Sequence, residues 1–158
     1  MININKVSKT FSKSKKKIFN TVSYQFNKSK IYVLEGPNGS GKTTFLKMLT
    51  GLSKPNSGEI NFEEEIKTSF VSSNERSFFG RLTGLQNLYF FAEIDGISRN
   101  TVLEFLHNHE NGFKFKEFIN KMYIHLSSGQ KKKMAVARGL LKEPRLLLLD
   151  EPFNFLDA

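Results

Sequence analysis

The stretch "IYVLEGPNGSGKTTF", residues 31–45, decides the fold. Its first four residues are apolar without alternation, which predicts a parallel strand at 31–34 that is covered on both faces. Residues 36–43 then match the pattern G-x-x-x-x-G-K-[ST]. A helix is predicted from about Lys42 to Thr50, and Gly51 can close it. The stretch therefore predicts a phosphate-binding loop between a buried strand and a helix.

Each part of this loop has a chemical reason. Glycines let the backbone turn its amide hydrogens toward phosphate oxygens, and the start of the helix adds a partial positive charge. Lys42 is expected to reach the β- and γ-phosphates, and the hydroxyl of Thr43 is expected to bind Mg²⁺. The alternative is a chance glycine-rich turn, which the strand, helix and lysine together disfavour. The predicted nucleotide contacts are Gly36, Pro37, Asn38, Gly39, Ser40, Gly41, Lys42, Thr43 and Thr44.

A second chemical pattern lies near the end of the chain, in "RLLLLDE", residues 145–151. Four leucines predict a buried strand that ends at two acids. Asp150 is expected to hold Mg²⁺ directly or through water. Glu151 is expected to be the general base that polarises an attacking water. Two solvated acids at a strand end are the alternative, which the phosphate loop disfavours.

Composition favours one cytosolic domain. The chain has 158 residues, a net charge of +9 and no cysteine. A chain without cysteine has no disulfide framework, which fits a reducing compartment. No apolar run reaches the roughly 18 residues that span a bilayer. A basic protein can meet nucleic acid, an anionic membrane or a phosphate-rich ligand, and charge alone does not choose among them.

The remaining periodicity predicts an α/β protein with a parallel sheet. Alternating apolar residues indicate strands within the first thirty residues, and "SGEINF" and "IKTSFV" indicate two more. The period becomes helical from Thr83 to about His109. A further helix is expected from near Ser128 to before Pro144, because proline disfavours helical geometry in the preceding residue.

The stretch "LSSGQ", Leu126–Gln130, carries a family resemblance. It resembles the L-S-G-G-Q signature of ATP-binding cassette (ABC) ATPases, with Ser128 in place of the first glycine. Asp150 follows Gln130 by twenty residues, which is the spacing usual in that family. "FLDA" resembles the family's D-loop, with Asp157 as its acid, and Phe11 occupies the place of the aromatic that stacks on adenine. The resemblance covers essentially the whole chain.

The resemblance implies a fold and a mechanism. The fold is that of a P-loop NTPase with an N-terminal antiparallel β region and a helical subdomain at about 83–128. The ligands are ATP and Mg²⁺. A second ATP-binding subunit joins head to tail, and the signature of one subunit touches the nucleotide held by the other. In this chain the residues that would make that contact are Ser127, Ser128, Gly129 and Gln130, together with Asp157.

The family also has a loop glutamine that touches Mg²⁺, and Asn74 stands in its place here, one methylene shorter. Gln86 belongs to the following helix and is not its counterpart. The segment from Asn74 to Gly96 resembles exporter ATPases. The resemblance implies export through an integral membrane permease, with the chain peripheral on the cytoplasmic face and no specific nucleic acid bound. A soluble ABC ATPase of translation, repair or cofactor assembly, and a non-catalytic remnant, stay open as alternatives.

The family pattern continues beyond the point where this sequence stops. Members carry a switch histidine downstream of the D-loop, and a strand that lies between the phosphate-loop strand and the "LLLLD" strand. Because nothing follows Ala158, we expect an incomplete subunit that lacks the C-terminal part of its sheet. A separate C-terminal fragment is then a candidate partner. For the 158 residues alone we expect low stability and weak or absent ATP turnover.

Overall fold

The computed structural model describes residues 1–11, 16–73 and 76–152 of the chain. Contacts divide the chain into two compact units, Met1–Ile66 and Lys67–Ala158. Both units combine strands with helices, which confirms the predicted α/β class. No helix within the described ranges is long and apolar enough to cross a membrane.

The first unit is an antiparallel sheet with one helix. Its order is β2-β1-β3, and every pairing is antiparallel. Ile4 of the central strand lies opposite residues of both neighbours, Tyr24 on one side and Ile60 on the other. The elements are β1 (Ile2–Phe11), β2 (Lys16–Phe26), α1 (Lys42–Leu49) and β3 (Ser57–Phe62). Their buried apolar side chains are Ile2, Ile4, Val7, Phe45, Met48 and Leu49.

The prediction of a buried strand at 31–34 is wrong. These residues form no strand, and they are 95%, 41%, 77% and 45% exposed. A strand exists only where a neighbour accepts and donates its backbone hydrogen bonds, and no described strand pairs with this segment. The phosphate loop of this unit is therefore preceded by an apolar segment that forms no strand and is exposed to solvent.

The second unit contains the parallel pair that the sequence predicted. Its strands are β4 (Thr68–Val71) and β5 (Leu146–Leu149), and they run parallel from Thr68 opposite Leu146 to Val71 opposite Leu149. Of the four leucines only Leu148 is fully buried, so β5 is less covered than its composition predicts. The helices are α2 (Gly84–Ile94), α3 (Arg99–Asn108), α4 (Glu110–Phe113) and α5 (Ser128–Leu141), with short 3₁₀ turns at Phe115–Glu117 and Tyr123–His125.

Three of these helices begin at residues that cap them. Thr83 accepts from the Gln86 amide, and Gln86 accepts from the Thr83 amide, which is a complete capping box at α2. Gln86 is therefore a helix-capping residue, in agreement with its exclusion as the loop glutamine. Ser98 caps α3 in the simpler way, through the amide of Thr101. α5 carries the second capping box and is described with the site.

Candidate functional site

The phosphate loop occupies the end of the first unit's long connection between β2 and α1. Gly39 and Gly41 have φ values of 79° and 103°, which side chains other than glycine rarely adopt. Gly41 also has no space for a side chain, because a Cβ there would lie 2.2 Å from Cγ2 of Ile18 and 2.9 Å from Cζ of Phe19. Phe19 in turn packs edge-on against Phe45 of α1, with the ring centroids 5.7 Å apart. Packing and backbone geometry both require the glycine here.

Lys42 lies over this loop. Its Nζ donates to the carbonyl oxygen of Gly36 at 2.7 Å and to that of Pro37 at 3.2 Å. The side chain therefore joins the start of the loop to the start of α1. An ammonium group has three hydrogens, so these two bonds leave one for a phosphate oxygen. The role of Lys42 at the β- and γ-phosphates stays a prediction from the sequence.

The start of α1 suits an anion. Gly41 caps the helix without a side-chain hydrogen bond, and the first turn of the helix has no acidic residue. The first amides of a helix have no partner within it, and the helix dipole makes this end partly positive. Thr43 and Thr44 lie in this turn, both half-buried. Residues 36–44 thus form one continuous loop and helix start in the first unit, with the chemistry that an anion requires.

Asp150 lies in the second unit, directly after β5, and is only 2% exposed. Its backbone amide donates to the Val71 carbonyl at 2.9 Å, which extends the β4–β5 pairing by one step. Its Oδ2 accepts from the hydroxyl of Ser73 at 3.1 Å, and its carbonyl oxygen accepts from Nζ of Lys132 at 3.1 Å. A buried carboxylate is an oxygen ligand of the kind that Mg²⁺ prefers beside substrate phosphates. The chemistry of Asp150 within its own unit therefore fits that ion.

Glu151 differs from its neighbour in exposure and in backbone geometry. Its side chain is exposed, and its φ is 49°, in the left-handed region that a residue with a Cβ seldom occupies. Such strain often occurs at functional sites, where surrounding structure holds it. An exposed carboxylate that follows a buried one can take a proton from water while the buried one binds a cation.

The signature residues form the start of α5. The Ser127 hydroxyl accepts from the Gln130 amide at 3.2 Å, and Oε1 of Gln130 accepts from the Ser127 amide at 3.1 Å. Ser127 is therefore an N-cap, and its hydroxyl still has a hydrogen to donate. Ser128 is exposed and Gly129 is half-buried, so this helix end is accessible within its unit. Leu126, just before it, is 4% exposed and anchors the chain.

Two candidate residues, Asn74 and Asp157, lie outside the described residues. The backbone of Phe11 is described but its side chain is not. The phosphate loop belongs to the first unit, and the acidic pair and the signature belong to the second.

Sequence reasoning missed two polar residues of the second unit, one exposed and one buried. Ser73 contacts Asp150, which is 77 residues away, and no local pattern signals such a pair. Asn87 is fully buried, and its side-chain amide bonds the backbone of Phe79, Leu82 and Thr83, which holds the loop before α2. A buried asparagine next to a capping glutamine could have been suspected, because its polar group requires partners.

The fold and the loop define a P-loop nucleotide-binding protein, and comparisons with known proteins make this more specific. The family model described as ABC transporter matches residues 19–154. The chain belongs to this family of ATP-binding proteins. Members hydrolyse ATP and bind it with Mg²⁺, and those that serve transporters dimerise and pair with a membrane permease.

Curated relatives extend the match to nearly the whole chain. It is 31% identical to the glucose import ATP-binding protein GlcV of Saccharolobus solfataricus, over 98% of this chain and 48% of that protein. It is 34% identical to the spermidine/putrescine import ATP-binding protein PotA of Treponema pallidum, over 78% of this chain and 35% of that one. The chain therefore spans about half or less of the length of these relatives. Their names give no support to the export predicted from residues 74–96.

Solved structures agree on the fold. The ATP-binding subunit of an ABC transporter superposes with a TM-score of 0.82 at 23% identity, over 100% of this chain and 69% of that one. A nucleotide-free ATP-binding cassette gives a TM-score of 0.79 at 21% identity, over 97% of this chain and 69% of that one. At this identity the likeness concerns the fold alone. It confirms the predicted P-loop ATPase fold.

Proposed function

We propose that this chain binds ATP with Mg²⁺ and is the ATP-hydrolysing subunit of a transporter. One observation carries the proposal: Lys42 bonds two carbonyls of a glycine loop that opens onto an uncapped helix start. Backbone amides, a helix dipole and an ammonium group then act on the same phosphates. In this proposal residues 36–44 hold the nucleotide, and Thr43 and Asp150 are each assigned to Mg²⁺ on the basis of the sequence motifs to which they belong.

Hydrolysis is assigned to Glu151 as the base that polarises the attacking water, a contribution of about 10²–10⁴ in rate. Lys42 stabilises the charge that develops on the transferred phosphoryl group. The accessible start of α5 supports a head-to-tail dimer, in which Ser127, Ser128, Gly129 and Gln130 cap the nucleotide of the second subunit. On sequence grounds alone we add Phe11 against adenine, Asn74 at Mg²⁺ and Asp157 at the dimer nucleotide.

The partner we propose is an integral membrane permease, with this chain bound peripherally on the cytoplasmic face. For direction, import is the better supported choice, because the curated relatives named above are import proteins and each is more than 30% identical to this chain. The exporter-like sequence at 74–96 was the only argument for the opposite direction. The two relatives carry different cargoes in their names, glucose and spermidine/putrescine, so no cargo is assigned.

Nucleotide binding is the first test. Lys42→Ala should weaken the affinity for a fluorescent ATP analogue at least about tenfold, because it removes a charge-assisted hydrogen bond of about 1.5–3 kcal/mol. Lys47→Ala is the matched control: it removes the same charge from an exposed position in the last turn of the same helix. Equal affinities for the two variants would contradict the phosphate-loop assignment.

Transport is tested in cells that express the chain with a candidate permease encoded beside it. Import predicts uptake of a labelled cargo, with glucose and spermidine as the first probes, and predicts that Lys42→Ala abolishes that uptake. Loss of preloaded label that depends on Lys42 would reverse the proposed direction. Nucleotide binding without any effect on transport, together with activity in a soluble assembly, would favour a soluble ABC ATPase.

A further inference from the structure

Asp150 is fixed at three separate atoms. Its amide donates to Val71 and its carbonyl oxygen accepts from Lys132, so the main chain is held on both sides of the Cα atom. The third contact is to the carboxylate, where Oδ2 accepts from the Ser73 hydroxyl at 3.1 Å. An ionised carboxylate only accepts hydrogen bonds, so Ser73 is the donor.

The third contact has a consequence that the other two do not have. The last torsion of an aspartate side chain is broad, so a fixed main chain does not by itself set the plane of the carboxylate. A hydrogen bond to one named oxygen removes much of that freedom. Ser73 lies two residues beyond the end of β4, and Asp150 directly follows β5, so the parallel β4–β5 pairing brings the two together.

We propose that Ser73 is a positioning residue for the magnesium-binding carboxylate. This inference rests on the proposed function, in which Asp150 binds Mg²⁺ beside ATP. Ser73 holds Oδ2 so that the carboxylate presents a constant geometry to the cation. Partners that hydrogen-bond a metal-binding carboxylate are typically worth about 10- to 100-fold in metal affinity or activity. The pattern of glycines, lysine and acids that identified the loop does not include this serine.

The test separates the contribution of the metal to binding from that of the nucleotide alone. The affinity of the full 158-residue chain for a fluorescent ATP analogue is measured with Mg²⁺ and again in EDTA, and the ratio of the two gives the contribution of the metal. Ser73→Ala should reduce this ratio about tenfold and leave the affinity in EDTA unchanged. Ser73→Thr keeps a hydroxyl at the same carbon and should restore most of the ratio.

Ser69→Ala is the matched control. Ser69 lies buried in β4, four residues before Ser73, so its replacement removes the same group from the same segment. It should leave the ratio unchanged, and a melting curve of each variant reports any loss of folding. A stable Ser73→Ala protein that keeps the wild-type ratio would overturn the inference alone.

Other outcomes of the same experiment would also contradict the inference. If Ser73→Ala lowers the affinity equally with Mg²⁺ and in EDTA, the serine supports the fold rather than the metal site, and the inference fails. If the wild-type chain binds no ATP under either condition, the proposed function and the inference fail together. A wild-type ratio near one would show that Mg²⁺ does not contribute to nucleotide binding. The inference would then fail, while nucleotide binding by the chain would stand.

Discussion

At Gly41 two separate requirements meet in one residue. The φ of 103° excludes most side chains, and Ile18 and Phe19 occupy the space where a Cβ would lie. Gly51 closes the same helix with a φ of 74°, but a Cβ there would meet nothing within 4 Å. Both glycines therefore have a positive φ that other residues rarely adopt, and only Gly41 also lacks space for a side chain. The two positions form a matched pair.

Alanine at these positions separates the two effects. Gly51→Ala should destabilise the protein by about 1–2 kcal/mol through left-handed geometry alone. Gly41→Ala should cost about 1–3 kcal/mol more, because Ile18 and the loop have to move apart. It should also weaken binding of the ATP analogue, which Gly51→Ala leaves unchanged. Urea unfolding and nucleotide titration measure both, and equal stabilities would show that the loop yields without cost.

The backbone strain at Glu151 can be compared with that at a second glutamate of the same chain. Glu143, in the turn between α5 and β5, has a φ of 47°, almost the same as the 49° of Glu151. Glycine adopts this region without a steric penalty, although it loses more entropy on folding. Glu143 has no role in the proposed chemistry, whereas Glu151 is the proposed base.

Glycine at each position should therefore raise the free energy of unfolding by about 0.5–1 kcal/mol. Of the two glycine variants, only Glu151→Gly should also abolish ATP hydrolysis in the assembled transporter. Glu151→Gln should abolish hydrolysis as well, but without the gain in stability. Hydrolysis that survives both substitutions would exclude Glu151 as the base. A gain at Glu143 and none at Glu151 would mean that the acid makes compensating contacts.

At the scale of elements, α5 connects the most parts of its unit. Three consecutive lysines in its first turns donate to three different carbonyls, those of Ile124, Asp150 and Phe113. The cluster "KKK" at 131–133 therefore anchors the helix and does not form an open basic patch. These bonds hold the helix in place while its signature end stays accessible, as a surface that receives a nucleotide requires.

The capping serine of α5 can be tested against another cap. Ser127→Ala and Ser98→Ala each remove an N-cap hydrogen bond and should each cost about 1 kcal/mol of stability. Only Ser127→Ala should also reduce the ATP-dependent dimer, which gel filtration of the Glu151→Gln background measures. If both serine variants dimerise as well as their parent, the signature does not touch the partner's nucleotide.

At the scale of the whole molecule, the sequence predicted what local chemistry determines. The glycine loop, the helix that starts near Ser128 and the strand before Asp150 are each specified within a few neighbouring residues. What it did not predict depends on distant residues. Ser73 finds Asp150 only because β4 and β5 pair, and residues 31–34 stay unpaired because no described strand lies beside them. Composition specifies a tendency to form a strand, and a neighbour decides whether it forms.

That unpaired segment should govern how the molecule behaves in solution. An exposed apolar run with unpaired backbone can pair with another chain. Val33 is 77% exposed, so Val33→Lys should change the free energy of unfolding by less than about 0.5 kcal/mol, as is usual at surface positions. It should nevertheless reduce the self-association that light scattering detects at rising protein concentration, because a lysine on an exposed edge opposes pairing.

Leu52→Lys provides the comparison. Leu52 is 69% exposed in the turn after α1, so the substitution adds the same charge and removes a similar apolar area. If self-association came from net charge or total apolar surface, the two variants would reduce it equally. If it comes from strand pairing at residues 31–34, Val33→Lys alone should do so.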